Sequence, residues 1–231
     1  MLWYKGWLET RFRLLFSLGA MSLFLTLMHS FATSIKTSVL IFMVTLYGQT
    51  MVMITCAMMG GAGIDTQPAF QAAKGLHGST IFTLSLPVSR LRLLAVRACI
   101  GWLETAGAIA AFFSAMWLVS PLLRARVAPF DLFEYAATLF ACASAIYFLS
   151  VLLATFLDDQ WRMWGTMIAM GAVWWLSERT WLPAFANIVR ATGKNSPLFT
   201  HSMPWSAMSF AVALAAALFY AALKVAQSRE Y

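Results

Sequence analysis

Apolar residues along this chain come in six long blocks separated by shorter stretches rich in Gly, Pro and charged residues. A bilayer core is about 30 Å thick, so a helix that crosses it needs roughly 20 apolar residues. The fifth block is the shortest of the six. The pattern predicts an all-α integral membrane protein, one transmembrane domain over residues 1–231, with six transmembrane helices. The predicted spans are residues 14–31, 38–60, 98–119, 132–157, 161–176 and 205–223.

Composition supports this prediction and limits the kinds of binding partner that we expect. Hydrophobic residues make up 61% of the 231-residue chain and charged residues 11%, whereas soluble domains carry about a quarter. The net charge is +7, but Lys and Arg lie at the ends of the apolar blocks and form no dense stripe. This distribution is typical of membrane topology, so we expect membrane lipids and no nucleic acid as partners.

The distribution of Lys and Arg also predicts an orientation. If the N-terminus is cytoplasmic, the inner segments contain more basic residues than the outer ones, as the positive-inside rule requires. Trp residues lie at predicted span ends, where indole rings prefer the headgroup layer. We therefore expect a multi-pass protein of the inner (plasma) membrane with both termini in the cytoplasm.

Residues 1–13 have a different pattern from the spans. Trp3 and Trp7 recur at helical spacing, whereas Glu9 and Arg11 occupy other faces. This pattern predicts an N-terminal amphipathic helix that lies on the inner leaflet.

Small residues recur at every fourth position in two of the predicted spans, which lets helices approach closely in lipid. Such faces serve packing within the chain or between subunits, or they only reflect the composition of apolar helices. The two stripes are Ala137, Ala141 and Ala145 in span four, and Ala207, Ala211 and Ala215 in span six.

The predicted cytoplasmic segment between spans two and three, residues 61–97, is long for a helix connection. Its middle is polar and broken by glycines. Ser79 or Thr80 then provides an N-cap, and Pro87 prevents the helix from continuing. The segment predicts a short helix over residues 79–88 that docks on a cytoplasmic partner.

Two strings in this chain resemble a known family. Residues 78–90, which end in Leu-Pro-Val-Ser-Arg and are followed by further leucines, resemble the coupling-helix segment of ABC-2-type transporter permeases. Residues 3–13 are similar to that family's amphipathic connecting helix. Six spans with both termini inside match the family's layout, which also implies short outer re-entrant helices between spans five and six, over residues 180–202.

The resemblance implies a function and a set of contact residues. The chain would be the membrane subunit of an ATP-driven exporter for a hydrophobic or amphiphilic substrate such as a lipid, a peptide or a drug-like molecule. Trp3, Trp7, Glu9 and Arg11 would brace the connecting helix against an ABC ATPase subunit. The residues implied to dock on that ATPase are Thr80, Ile81, Phe82, Leu84, Ser85, Leu86, Pro87 and Arg90.

The motor is expected on another polypeptide. Gly193-Lys194 is followed by Asn195 and does not fit a P-loop, so we expect no cofactor on this chain and no enzymatic activity of its own. ATP and Mg would bind to an ATPase dimer, and a second permease subunit, identical or homologous, would complete the transporter. The competing hypotheses are a membrane-embedded lipid-modifying enzyme and a non-transporting membrane anchor.

Glu104 is the most informative ionisable residue, since a carboxylate inside a bilayer costs about 2.5 to 3.5 kcal/mol on insertion scales. One hypothesis places it in the substrate path. The other makes it a structural carboxylate, either protonated or paired with an Arg of a neighbouring helix.

No metal site is expected. His29, His77 and His201 are isolated in the sequence, and Asp158-Asp159 has no further ligand at useful spacing.

Overall fold

The computed structural model describes residues 2–31, 37–61, 90–157, 159–179 and 181–228, and the regular elements of these residues are all helical. This confirms the all-α prediction for the described part of the chain. A 3₁₀ turn, Ala184–Ala186, lies between the sixth and seventh α-helices. In chain order the α-helices are α1 (Leu2–Phe31), α2 (Thr37–Met59), α3 (Arg90–Val119), α4 (Pro121–Arg126), α5 (Pro129–Ala154), α6 (Asp159–Ser177), α7 (Ile188–Thr192), α8 (Pro197–Thr200) and α9 (Trp205–Ser228).

Four helices of the described residues are long and apolar enough to cross a membrane. They lie in α2, α3, α5 and α9 and correspond to the predicted spans two, three, four and six. The first and fifth predicted spans fall in α1 and α6, which are not among these four. The count of six spans therefore stays a prediction. The four helices are Val39–Met59, Leu91–Val119, Pro129–Ala154 and Trp205–Ser228.

The N-terminal region differs from the expected division into a connecting helix and a span. One continuous helix, α1, runs from Leu2 to Phe31, because the sequence around residue 13 contains neither Gly nor Pro to interrupt it. Thr10, Ser17 and Met21 are buried on one face of this helix. The helix therefore packs into the bundle from Thr10 onward, so the boundary expected at residue 13 is not visible in the structure.

Helix α5 lies at the centre of the bundle, and its contacts fix the directions of its neighbours. Tyr147 and Tyr135 of α5 contact Ala98 and Phe113 of α3 in that order, so α3 runs antiparallel to α5. Tyr135 also donates a hydrogen bond to the Thr45 carbonyl of α2 at 3.0 Å. Hydrogen bonds between helices in this way satisfy polar groups that lipid cannot solvate.

Helix α9 runs parallel to α5 and packs closely against it. Phe148 and Phe219 place their ring centroids 5.0 Å apart, and the Thr138 hydroxyl lies 3.7 Å from the Met208 sulfur. The small-residue stripes meet in this contact. The buried members of the two stripes are Ala141, Ala145, Ala207, Ala211 and Ala215, and we call this set the alanine interface.

The burial of these alanines decides between the sequence-based alternatives for the stripes. Ala211 is completely buried and belongs to the same apolar cluster as Ala145. Packing within the chain is therefore the role of the span-six stripe and of two members of the span-four stripe. Ala137, the third member of the span-four stripe, is only half-buried and lines a groove against α3.

Candidate functional site

Several polar side chains from other helices lie around the end of α2, where the chain leaves for residues 62–89. Helix α2 ends at Met59, and the last four carbonyl groups of a helix have no N–H partner inside the helix. Where such a carbonyl is buried inside the bundle it needs another donor, because an unpaired buried carbonyl costs about 1 to 3 kcal/mol. The sequence supplies such donors from three other helices.

Ala57, two residues before the end of α2, has two donors to its carbonyl oxygen. The Ser150 hydroxyl of α5 donates to this oxygen at 2.9 Å, and Nη1 of Arg162 in α6 donates to it as well. The same Nη1 donates to Ser150 Oγ at 2.6 Å. Only 1% of the Arg162 surface is exposed, so this guanidinium is held inside the protein by α2 and α5.

Helix α1 adds a second cation to the end of α2. Nη1 of Arg13 donates to the Met58 carbonyl oxygen at 3.0 Å, and the amide of Gly60 donates to the Cys56 carbonyl at 3.0 Å. A helix C-terminus carries a partial negative charge, which positive side chains stabilise. We call Arg13, Ala57, Met58, Ser150 and Arg162 the helix-end cluster.

Two glycines let the chain leave α2 directly against this cluster. A Cβ atom on Gly61 would lie 2.1 Å from Arg162 Nε, and one on Gly60 would lie 2.6 Å from Ser150 Cβ. Both distances are too short for a Cβ atom, so Arg162 or Ser150 would have to move if either glycine carried a side chain. The glycines are therefore needed here because the backbone approaches Arg162 and Ser150 closely.

Helix α3, which begins where residues 62–89 end, is fixed to the same part of the bundle. The Tyr147 hydroxyl donates to the Ala98 carbonyl at 2.8 Å, and Trp102 Nε1 donates to Ser144 Oγ at 2.9 Å. A Cβ on Gly101 would lie only 2.5 Å from the Tyr147 hydroxyl oxygen. From Gly101 the helix extends back to Arg90, about 16 Å along its axis.

Glu104 joins α1 to α3. Its Oε1 accepts a hydrogen bond of 2.6 Å from the Thr10 hydroxyl, and Thr10 is buried. Its Oε2 is buried and has no hydrogen-bond partner among the described residues. These contacts favour the structural hypothesis for Glu104, in which the carboxyl group holds two helices together near the end of α2.

The coupling residues implied by the family resemblance lie mostly outside the described residues. This holds for Thr80, Ile81, Phe82, Leu84, Ser85, Leu86 and Pro87. Arg90 is the first residue of α3, and its side chain is outside the description. The docking assignment therefore stays a prediction.

The connecting-helix residues lie in α1. Trp7 is 44% exposed, and Arg11 places its guanidinium carbon 4.9 Å from the Phe12 ring centroid. Arg11 Nε is buried without a hydrogen-bond partner among the described residues. Trp3 and Glu9 belong to the same helix, but their side chains are outside the description.

The helix-end cluster contains the residues that sequence reasoning missed. Arg13 and Arg162 entered that reasoning only as charges that set the topology, and Ser150 did not enter it. Their acceptors at Ala57 and Met58 are backbone carbonyls, which any residue type provides. The one sequence signal for this site is the glycine pair at 60–61, directly after an apolar block.

Other ionisable residues show no metal-binding arrangement within the described ranges, where no three His, Cys, Asp or Glu side chains come together. His201 Nδ1 lies 2.9 Å from Asp131 Oδ2 at the opposite end of the bundle from the helix-end cluster. This contact joins the turn after α8 to the first turn of α5.

Comparison of the chain with known protein families, curated proteins and solved structures finds no match.

Proposed function

We propose that this chain is the membrane-spanning permease subunit of an ATP-driven exporter whose ATPase is a separate polypeptide. One observation carries the proposal. The segment that resembles a coupling helix, residues 78–90, connects α2 and α3, and buried polar contacts fix the ends of these two helices to the rest of the bundle. Its substrate would be a hydrophobic or amphiphilic molecule.

The helix-end cluster supports a mechanical role for that segment. The end of α2 is bonded to α1 through Arg13, to α5 through Ser150 and to α6 through Arg162. A displacement of the segment would therefore move four helices together instead of bending one. ATP drives such a movement only if it binds one conformation of the complex better than the other.

The directions of the helices support the expected layout. Helices α2 and α5 are parallel because Thr45 contacts Tyr135 and Ala57 contacts Ser150, whereas α3 is antiparallel to α5. Successive long helices that alternate in direction are what a chain needs to cross a membrane repeatedly. The proposed layout has six membrane crossings in the inner membrane of the cell, with both termini in the cytoplasm.

Co-purification of the full chain with its ATPase tests the proposal. The partner to co-express is an ABC ATPase from a reading frame next to that of this chain, and the absence of any such reading frame would itself count against the proposal. A Phe82→Asp or Leu84→Asp change places a charge in the proposed docking face and should lower the recovered ATPase by at least about tenfold. The amount of permease in the membrane fraction should not change.

Phe130→Asp is the matched control. Phe130 lies in the first turn of α5, at the other end of the bundle, and is 66% exposed. A negative charge suits a helix N-terminus, so this variant should keep both insertion and ATPase recovery. Full ATPase recovery with both loop variants would refute the docking assignment. No ATPase recovery with the wild-type chain would favour an anchor or an enzyme that works without an ATPase.

A further inference from the structure

A groove of about 530 Å³ runs between α3 and α5 on the surface of the bundle. Small and aromatic side chains line it, including Ala110 and Ala136 together with Phe133 and Phe140. Ser114 and Trp117 contribute the only polar side-chain atoms among the lining residues. The volume lies within the range of about 300 to 1,000 Å³ that is typical of sites for small molecules.

The length and the lining of the groove fit a narrow apolar ligand such as an acyl chain. On α3 the groove extends from Ala106 to Leu118, thirteen residues or about 18 Å, which is close to one leaflet of a bilayer core of about 30 Å.

Two arginines lie on the connector beyond one end of the groove. The α4 connector joins α3 to α5 and so follows Leu118 and precedes Pro129, which line the groove at this end. Leu123 of this connector is buried, whereas Arg124 and Arg126, which follow it, are exposed. Neither arginine forms an ion pair with another of the described residues.

The connector holds these arginines in a defined position. Ser120 caps α4 by accepting a hydrogen bond from the Leu123 amide at 3.3 Å, and the Val127 amide donates to the Leu123 carbonyl at 2.8 Å. Less conformational entropy is therefore lost when a ligand binds to the connector.

The nearby carboxylates do not neutralise this end of the groove. Groove-lining residues of α5 such as Pro129, Leu132 and Phe133 share one face, and at about 100° per residue Asp131 and Glu134 lie away from that face. Asp131 is also bonded to His201. The mouth of the groove is therefore positively charged.

We propose that this groove binds one acyl chain of an anionic phospholipid whose phosphate is attracted by the positive charge of Arg124 and Arg126 on the adjoining connector. The acyl chain of such a lipid is apolar and about one leaflet long, like the groove. Its phosphate is negative and suits the two exposed arginines beside one end of the groove. The site would exist whether or not the chain works with an ATPase, so its test is independent of the proposed function.

Lipid retention by the purified full chain tests the proposal. Native mass spectrometry would count bound dioleoyl phosphatidylglycerol, which is anionic, and dioleoyl phosphatidylcholine, which is zwitterionic, after equal exposure in detergent. Each arginine near a headgroup contributes about a fivefold gain for an anionic lipid, so the wild-type chain should prefer phosphatidylglycerol by about tenfold or more. Arg124→Gln with Arg126→Gln should abolish the preference, and the single variants show which arginine contributes more.

Two pairs of variants separate charge from shape. Arg190→Gln with Lys194→Gln removes two exposed cations from another face at the same end of the bundle and should leave the preference unchanged. Ala110→Phe fills the groove and should reduce retention of both lipids at least about tenfold, whereas Ala217→Phe on an exposed face of α9 should not.

Three results would overturn the proposal. The first is equal retention of the two lipids by the wild-type chain, and the second is an unchanged preference after loss of both arginines. The third is normal lipid retention by Ala110→Phe together with loss of a dimer, which would make the groove an interface between two copies. The arginine variants lie on an exposed connector, so they remain informative even if Ala110→Phe does not fold.

Discussion

The alanine interface and the helix-end cluster hold helices together by opposite means. Between α5 and α9, residues such as Ala145 and Ala211 carry almost no side chain, so two backbones approach closely and dispersion forces act over a long contact. At the end of α2, Arg162 and Ser150 supply donors to carbonyl groups that the helix itself leaves unpaired. The alanine interface depends on close packing, whereas the helix-end cluster depends on hydrogen-bond donors and acceptors.

The difference predicts how each region responds to change. A shape contact tolerates any small apolar residue and fails when volume is added. A polar contact fails when one partner is removed, because the remaining group stays buried and unpaired. Stability measurements in detergent micelles on matched variants therefore distinguish the two regions.

The largest effect is expected at Arg162. Arg162→Ala removes the charge and the donors that Ala57 and Ser150 share and leaves a cavity in their place, so the free energy of unfolding should fall by about 3 kcal/mol. Arg162→Lys keeps the charge but loses the planar guanidinium. Its free energy of unfolding should therefore lie between those of the wild-type chain and Arg162→Ala. Denaturant titration followed by circular dichroism measures the change.

Arg190→Ala is the control for this prediction. Arg190 is an exposed arginine on α7, so its removal should change the free energy of unfolding by less than about 0.5 kcal/mol. Equal and small losses for the two arginine variants would mean that the helix-end cluster contributes nothing to stability.

The alanine interface should show the next largest effect. Ala211 is completely buried, so Ala211→Leu forces α5 and α9 apart and should lower the free energy of unfolding by about 2 kcal/mol. Ala213→Leu places the same side chain on an exposed face of the same helix and should be close to neutral. Thermal unfolding of both variants in one detergent measures this difference, and similar transition temperatures would argue against close packing.

The two regions also differ in how far the sequence predicts them. Alanines at every fourth position indicate one face of α9, and the same spacing recurs on α5. The sequence therefore indicates both sides of the alanine interface. The acceptors of Arg13 and Arg162 are backbone carbonyls, which leave no mark in the sequence. Ala57 and Arg162 are also 105 residues apart, so only the tertiary fold reveals their contact.

Helix boundaries show a similar limit. The predicted start of span three, residue 98, is the point where apolar residues become dominant, but α3 already begins at Arg90. Hydropathy misses this extension because it scores Arg92 and Arg97 as loop residues, although Arg is a good helix former. Arg97 is even buried, with 6% of its surface exposed, since the bundle continues around this part of α3.

Two glycines six residues apart on α3 give the smallest and most sharply controlled difference. A Cβ on Gly101 would meet the Tyr147 hydroxyl oxygen at 2.5 Å, whereas a Cβ on Gly107 meets nothing within 4 Å. Gly101→Ala should therefore cost about 1 to 2 kcal/mol of stability. Gly107→Ala should add about 0.5 to 1 kcal/mol, because alanine is the better helix former.

Tyr147→Phe decides whether the hydroxyl causes the cost at Gly101. The ring carbon that carries the hydroxyl lies 3.5 Å from the same Cβ position, which is an ordinary contact, so removal of the oxygen makes room for alanine. Tyr147→Phe alone loses the hydrogen bond to Ala98, worth about 0.6 kcal/mol in membrane proteins. The double variant should then be no less stable than Tyr147→Phe. Additive losses in this double-mutant cycle would show that α3 and α5 are not in the close contact on which the rigid end of the bundle depends.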